Sequence, residues 1–212
     1  MRAKGVVFSV AIGMLVIGAI SGCAPKVIPV VPSGPAINYP EKINATVAVL
    51  FDEDLTTYID RFSITEDFCA GHTYDIMLGN GMVDAVKSAL QAVFTNVVVV
   101  DTVPEMDKYD ALARVTLESV DNDAEITELT FGHKVKVRYD ISITVNLLDK
   151  NLKLIYPYNA SAIGTRSNKV TSCSEIGDII AESAEKCLNK ISTDIAQALY
   201  SAQQVQDYFN KK

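Results

Sequence analysis

Four cysteines, two histidines, a cluster of acids and one line of three cations are the side chains of this 212-residue chain whose types could do chemistry. The cysteines are Cys23, Cys69, Cys173 and Cys187. None stands in a C-x-x-C pair, and His72 and His133 are the only histidines, so no metal site is expected. With residues 173–187 helical, Cys173 and Cys187 would lie about 21 Å apart at 1.5 Å per residue, too far to bridge. Cys69 with Cys173 is therefore the expected disulfide in an oxidising compartment, and Cys187 a small buried apolar residue. Lys134, Lys136 and Arg138 alternate along one segment. On a strand they would share a face at spacings of about 7 Å, either as candidate contacts for an anionic partner or as the solvated side of a sheet. Asp121, Asp123 and Glu125 read as a solvated acidic connection, because acids become catalytic when burial or fixed neighbours perturb them. No G-x-S-x-G or H-E-x-x-H pattern is present, and neither catalysis nor a cofactor is expected.

Cys23 stands apart from the other three because of what precedes it. Arg2 and Lys4 open the chain, and Gly5 to Ile20 form sixteen residues in which Ser9 alone is polar. A bilayer span needs roughly 20 apolar residues, so this run is short for a span and right for an export signal. Small residues, Ser21 and Gly22, then lead into Cys23. The run Ile20-Ser21-Gly22-Cys23 resembles the bacterial lipobox. That resemblance implies that residues 1–22 are a signal peptide cut before Cys23, whose sulfur receives diacylglycerol and whose new amino group is acylated. Several acyl chains on one residue would anchor the protein stably without a spanning helix. Ala24, where an aspartate would retain such a protein at the inner membrane of enteric bacteria, resembles an outer-membrane address. The expected location is the periplasmic face of the outer membrane.

Loss of residues 1–22 removes Arg2 and Lys4 and takes the formal charge from -7 to -9. An acidic chain of this kind offers no footprint for nucleic acid. Five of the seven prolines fall between Pro25 and Pro40, which predicts extended polyproline geometry and a stalk over residues 23–42. Residues 43–212 are then one domain.

Within it, "ATVAVLFD" at 45–52 predicts a first, buried strand, and residues 53–77 a long insertion of little periodicity. Val83, Val86, Leu90, Val93 and Phe94 predict a helix over 81–95, capped by Asn80, with Gly79-Asn80-Gly81 as a turn. "NVVVVD" at 96–101 predicts a second strand, and the two strands with the helix make a crossover unit. A third strand is predicted over "DALARVTLESV". The plainest alternation follows, with Val135, Val137, Tyr139, Ile141, Ile143, Val145 and Leu147 on one face. "DKN" at 149–151 turns that strand into a hairpin partner in which Pro157 predicts an edge position. Ser172 and Glu175 have capping-box spacing, and the helix they open would run about 50 Å if it reached Tyr208, so its end should overhang, bend or find a partner. The predicted fold is α+β: a mixed sheet with one crossover and an antiparallel meander, and two helices on one face.

In its lipobox, proline-rich stalk and order of elements the chain resembles small outer-membrane lipoproteins of Gram-negative bacteria. Among them are YajG-type proteins, auxiliary lipoproteins of ABC-type lipid transporters and the LptE lipoprotein of lipopolysaccharide assembly. Only Cys23 is matched residue by residue. The resemblance implies a non-enzymatic accessory or assembly factor that binds another envelope protein, through the long helix and the 53–77 insertion. The alternative is a carrier or sensor of a lipid or other small ligand, and after it an envelope enzyme.

Overall fold

The computed structural model describes residues 25–65 and 67–210. The segment expected to be a signal peptide, residues 1–22, and Cys23 lie outside the described residues. In chain order the elements are β1 (Lys26–Pro29), β2 (Ile43–Phe51), α1 (Glu53–Thr56), β3 (Asp60–Ser63), β4 (Thr73–Met77), α2 (Leu78–Val93), β5 (Phe94–Val100), β6 (Ala111–Glu128), β7 (His133–Leu148), β8 (Leu154–Val170), α3 (Cys173–Ser201) and α4 (Gln203–Asn210). The strands form a five-stranded sheet in the order β5-β2-β6-β7-β8 and a three-stranded one in the order β1-β4-β3. β5, β2 and β6 are parallel, and β6, β7 and β8 run as an antiparallel meander. The α+β class, the crossover and the meander are thus present, and a second small sheet is added.

β7 organises the core. Its seven alternate residues from Val135 to Leu147 are fully buried, and α2 and α3 close over them and over Val47, Val49 and Val115 of the neighbouring strands. The close fit of α3 on β8 depends on Gly164, where a Cβ would collide with the Ser183 carbonyl oxygen. Ser183 Oγ sits 2.8 Å from the Ile179 carbonyl and 3.1 Å from that of Val137, so its buried hydroxyl is satisfied. Ser192 does the same between helices, donating to the Ala85 carbonyl of α2 at 2.8 Å.

Several boundaries differ from the sequence reading. α2 begins at Leu78 with Met77 at its cap, and Asn80 is an exposed residue of the first turn. Gly79 and Gly81 are small for packing reasons: a Cβ at Gly79 would strike the Thr56 carbonyl oxygen, and one at Gly81 would lie 3.0 Å from the Val30 carbonyl oxygen. β6 runs on to Glu128, so Asp121, Asp123 and Glu125 are strand residues and not a loop. A bulge between Leu117 and Ser119 resets its alternation, so odd positions face the core before it and even positions after it. β5, the predicted second strand, is an edge strand with Val98 and Val99 over 40% exposed. β8 is the opposite edge, with Pro157 in it, and Lys186 and Lys190 of α3 cover part of it by donating to the Thr165 and Ile163 carbonyls.

Ser172 caps α3 without a side-chain bond to the helix, and Glu175 instead accepts from the Thr171 N–H at 2.8 Å. That backbone bond holds the Glu175 carboxyl below its ordinary range. The last helix does bend: α3 stops at Ala202, whose backbone is extended, and α4 turns back so that Phe209 meets Phe94 with ring centroids 5.4 Å apart. Among the described residues no helix is long and apolar enough to cross a membrane.

Candidate binding surfaces

The proline-rich segment is extended, as its composition requires, but it does not stand free. β1 pairs with β4, and residues 30–40 then lie along α3 as a strap. Proline has no N–H, so few strap amides need acceptors. Those of Val31, Ser33 and Ala36 donate to Glu185, Asn189 and Thr193 at 3.3, 2.8 and 3.0 Å. The three acceptors are four residues apart, which stacks them on one helix face. Tyr39 ends the strap by stacking on Tyr200 with centroids 3.7 Å apart.

Strap, helix and sheet edge bound an open groove of about 590 Å³, with Ala36 on one side, Asn189, Lys190 and Gln197 on another, and Ser161, Ala162 and Ile163 of β8 along the sheet edge. Near it the Tyr158 hydroxyl donates to Asp194 at 2.7 Å, and burial together with that carboxylate pushes the phenol pKa upward. The groove is open and mixes apolar with polar side chains, which suits a protein segment better than a lipid chain, whose sites are enclosed and apolar.

A second hollow, of about 380 Å³, opens between the small sheet and the distal half of β6, with Arg61, Ser63, Ile64, Asn122, Asp123 and Ile126 among its walls. Behind it lies the most buried carboxylate of the described chain. Asp60 is 8% exposed, and its Oδ2 accepts from the Tyr139 hydroxyl at 2.7 Å and from Asn122 Nδ2 at 2.9 Å. Burial raises the Asp60 pKa and the two donors pull it back. The Tyr139 phenol is pushed up in turn by its own burial and by the neighbouring carboxylate. The donors come from β6 and β7 and the acceptor from β3, so this trio latches the two sheets together. Tyr139 needs such a partner, because a buried phenol without one loses a hydrogen bond to water and gains none.

Lys134, Lys136 and Arg138 do share the outer face of β7, but acids interleave them. Cross-strand register sets Asp123 opposite Arg138 and Glu125 opposite Lys136. Lys136 bonds Glu125 at 3.3 Å and Arg138 bonds Asp140 at 2.9 Å. Two of the three cations thus have internal partners, and the face is one of mixed sign. Cys69 and Cys173 form a disulfide with Cα atoms 5.6 Å apart, tying the loop after β3 to the start of α3. Cys187 is buried, and desolvation lifts its thiol to about 11, so it is protonated and unreactive at neutral pH. His133 stacks on Phe68 at 3.7 Å. No cluster of metal-ligating side chains occurs among the described residues. Sequence reasoning missed Asp60 and the strap's acceptors. The spacing of Glu185, Asn189 and Thr193 was a readable polar stripe, whereas nothing local marks Asp60.

No protein-family model matches the chain, and no curated protein matches it. Solved structures similar to it include a neuraminyllactose-binding hemagglutinin homolog from Helicobacter pylori, at 12% identity and TM-score 0.45 over 84% of this chain and 94% of that one. A Xanthomonas campestris protein of the DUF330 family aligns at 10% identity and TM-score 0.43, over 82% of this chain and 91% of the other. A minor lipoprotein from Acinetobacter baumannii aligns at 10% identity and TM-score 0.38, over 74% and 92%. At these identities and scores no residue of this chain takes a role from them.

Proposed function

We propose that this chain is an acylated envelope lipoprotein that acts without catalysis, as an accessory or assembly factor holding another envelope protein near the membrane. The run Ile20-Ser21-Gly22-Cys23 supports the anchor, and Ala24 the outer membrane as its address. The observation that carries the binding role is the pair of open hollows on the long helix and on the 53–77 segment, each rimmed by mixed polar and apolar groups over a filled core. Asp60 and Tyr139, whose pKa values are displaced, spend their polar atoms on each other and on Asn122, which suits a structural latch and not a proton-transfer site.

The test is photocrosslinking in intact cells from positions Ile163 and Arg61, followed by purification from detergent-solubilised membranes. A discrete protein adduct from either position, retained through purification, is the expected result. Recovery of the protein alone with copurifying lipid would overturn it in favour of a carrier or sensor of a lipid ligand. Cys23→Ala should abolish acylation, and unchanged lipid labelling of that variant would refute the anchor.

A further inference from the structure

The described chain enters the fold at one pole of the molecule, and that pole carries three exposed apolar side chains among its charges. Lys26, the first residue of β1, donates from Nζ to the Ser174 carbonyl at 3.2 Å, and its register partner Tyr74 donates to the Cys173 carbonyl at 2.6 Å. β1 therefore starts at the beginning of α3, and the strap runs away from there along the helix. The tip of the β6–β7 hairpin, residues 129–132, is at the same place. A Cβ on Gly132 would sit 3.4 Å from Thr171 Cγ2, and His133, next in line, stacks on Phe68 beside the Cys69–Cys173 bond.

The tip carries Phe131, 78% exposed, and Leu129, 40% exposed, while Val27 of β1 is 62% exposed. The turn is fixed by the Leu129 N–H donating to the Gly132 carbonyl at 3.0 Å, with Gly132 at φ 83°, a conformation that favours glycine. One exposed ring is ordinary, but Phe131, Leu129 and Val27 exposed together at one pole form an apolar patch of the kind that marks a contact surface.

We propose that this tip is a second membrane contact: Phe131 and Leu129 insert into the bilayer leaflet that holds the acyl chains of Cys23, a reading that rests on the lipobox anchor proposed above. Covalent reach supports the bilayer as the occupant. One residue separates Cys23 from Pro25, so at no more than about 3.6 Å per residue their Cα atoms are within roughly 7 Å of each other, and an anchored Cys23 brings this pole to the lipid surface. Charge agrees. The described residues of the pole set Lys26, Lys134 and Lys169 against Asp67, Glu128 and Glu175, a balanced group in a chain that carries -9 once residues 1–22 are lost, so the pole itself adds no net repulsion from an anionic headgroup layer. Exposed Leu152 and Leu154 lie at the far end of the meander, about 50 Å away at 3.3 Å per residue of β7, and are directed away from the anchor.

The chain contains no tryptophan, which makes the test direct. Phe131→Trp and, as control, Leu152→Trp are made in the full chain, expressed with its signal and reconstituted in vesicles of phosphatidylethanolamine and phosphatidylglycerol with or without brominated acyl chains. The expected result is blue-shifted emission from Phe131→Trp, quenched about twofold or more by the brominated lipid, with Leu152→Trp unaffected. Equal emission from Phe131→Trp in both vesicles, with Cys23 shown by mass spectrometry to be acylated, overturns the proposal and leaves the anchor standing. Equal quenching of both variants overturns it too, because the domain would then lie flat. Unacylated Cys23 in the recovered chain overturns the anchor reading and the proposal together.

Discussion

Asp60 shows how much a single side chain can be asked to hold. Its partners Asn122 and Tyr139 are 62 and 79 residues away, and together the three fasten the small sheet to the large one. The cost is ionisation in a desolvated place, which raises the pKa. The folded carboxyl therefore keeps its proton to higher pH than the unfolded one, and between those two values stability falls as pH rises. Below the unfolded value both states are protonated and the cost is absent, and above the folded value it is fully present. Asp60→Asn retains an acceptor for both donors and removes the charge. Its melting temperature relative to the natural chain should therefore rise as pH is taken from about 3.5 to about 7. A constant difference across that range would show that the carboxylate is not penalised by its burial.

Among the elements, the loop after β3 is closed on itself by the Ile64, Gly71 and His72 amides, which donate to the His72, Ile64 and Cys69 carbonyls. It is fastened by the disulfide, whose cysteines are 104 residues apart in sequence. In Cys69→Ser/Cys173→Ser, unfolding in denaturant should show a loss of about 2–4 kcal/mol, and reduction of the natural protein should have the same effect. An unchanged midpoint would mean that the loop is held by its other contacts. The elements also differ in how openly the sequence declares them. β7 was legible because period two persists along its whole length with one face on the core. β6 was legible only to its bulge, after which Val120, Ala124 and Ile126 alternate on the opposite parity and the acids between them imitate a loop. The glycines at 79 and 81 imitated a turn for a different reason: what they accommodate is the backbone of residues 55–56 and of Val30, contacts invisible to any local pattern. The run of valines declared β5 a strand but not its place at an edge, because composition reports apolarity and not position in a sheet.

For the molecule as a whole the decisive long-range feature is the strap. Proline content showed that residues 25–40 would be extended, but could not show that they have a bed, since Glu185, Asn189 and Thr193 are over 150 residues further on. Each such bond adds about 0.5–1.5 kcal/mol locally. In Asn189→Ala/Thr193→Ala, hydrogen exchange at the Ser33 and Ala36 amides should accelerate roughly three- to tenfold while the β7 amides stay protected. Unchanged protection of the strap would assign its hold to the Tyr39–Tyr200 stack. The strap also sets an order of events during synthesis. A chain leaves the ribosome, and any export pore, N-terminus first, yet the helix on which this segment rests is made over 150 residues after it. Until α3 is released, residues 30–40 have no acceptors and Cys69 has no partner. The strap is made long before its bed, and an enzyme acting next to Pro25 meets an unshielded chain until α3 emerges.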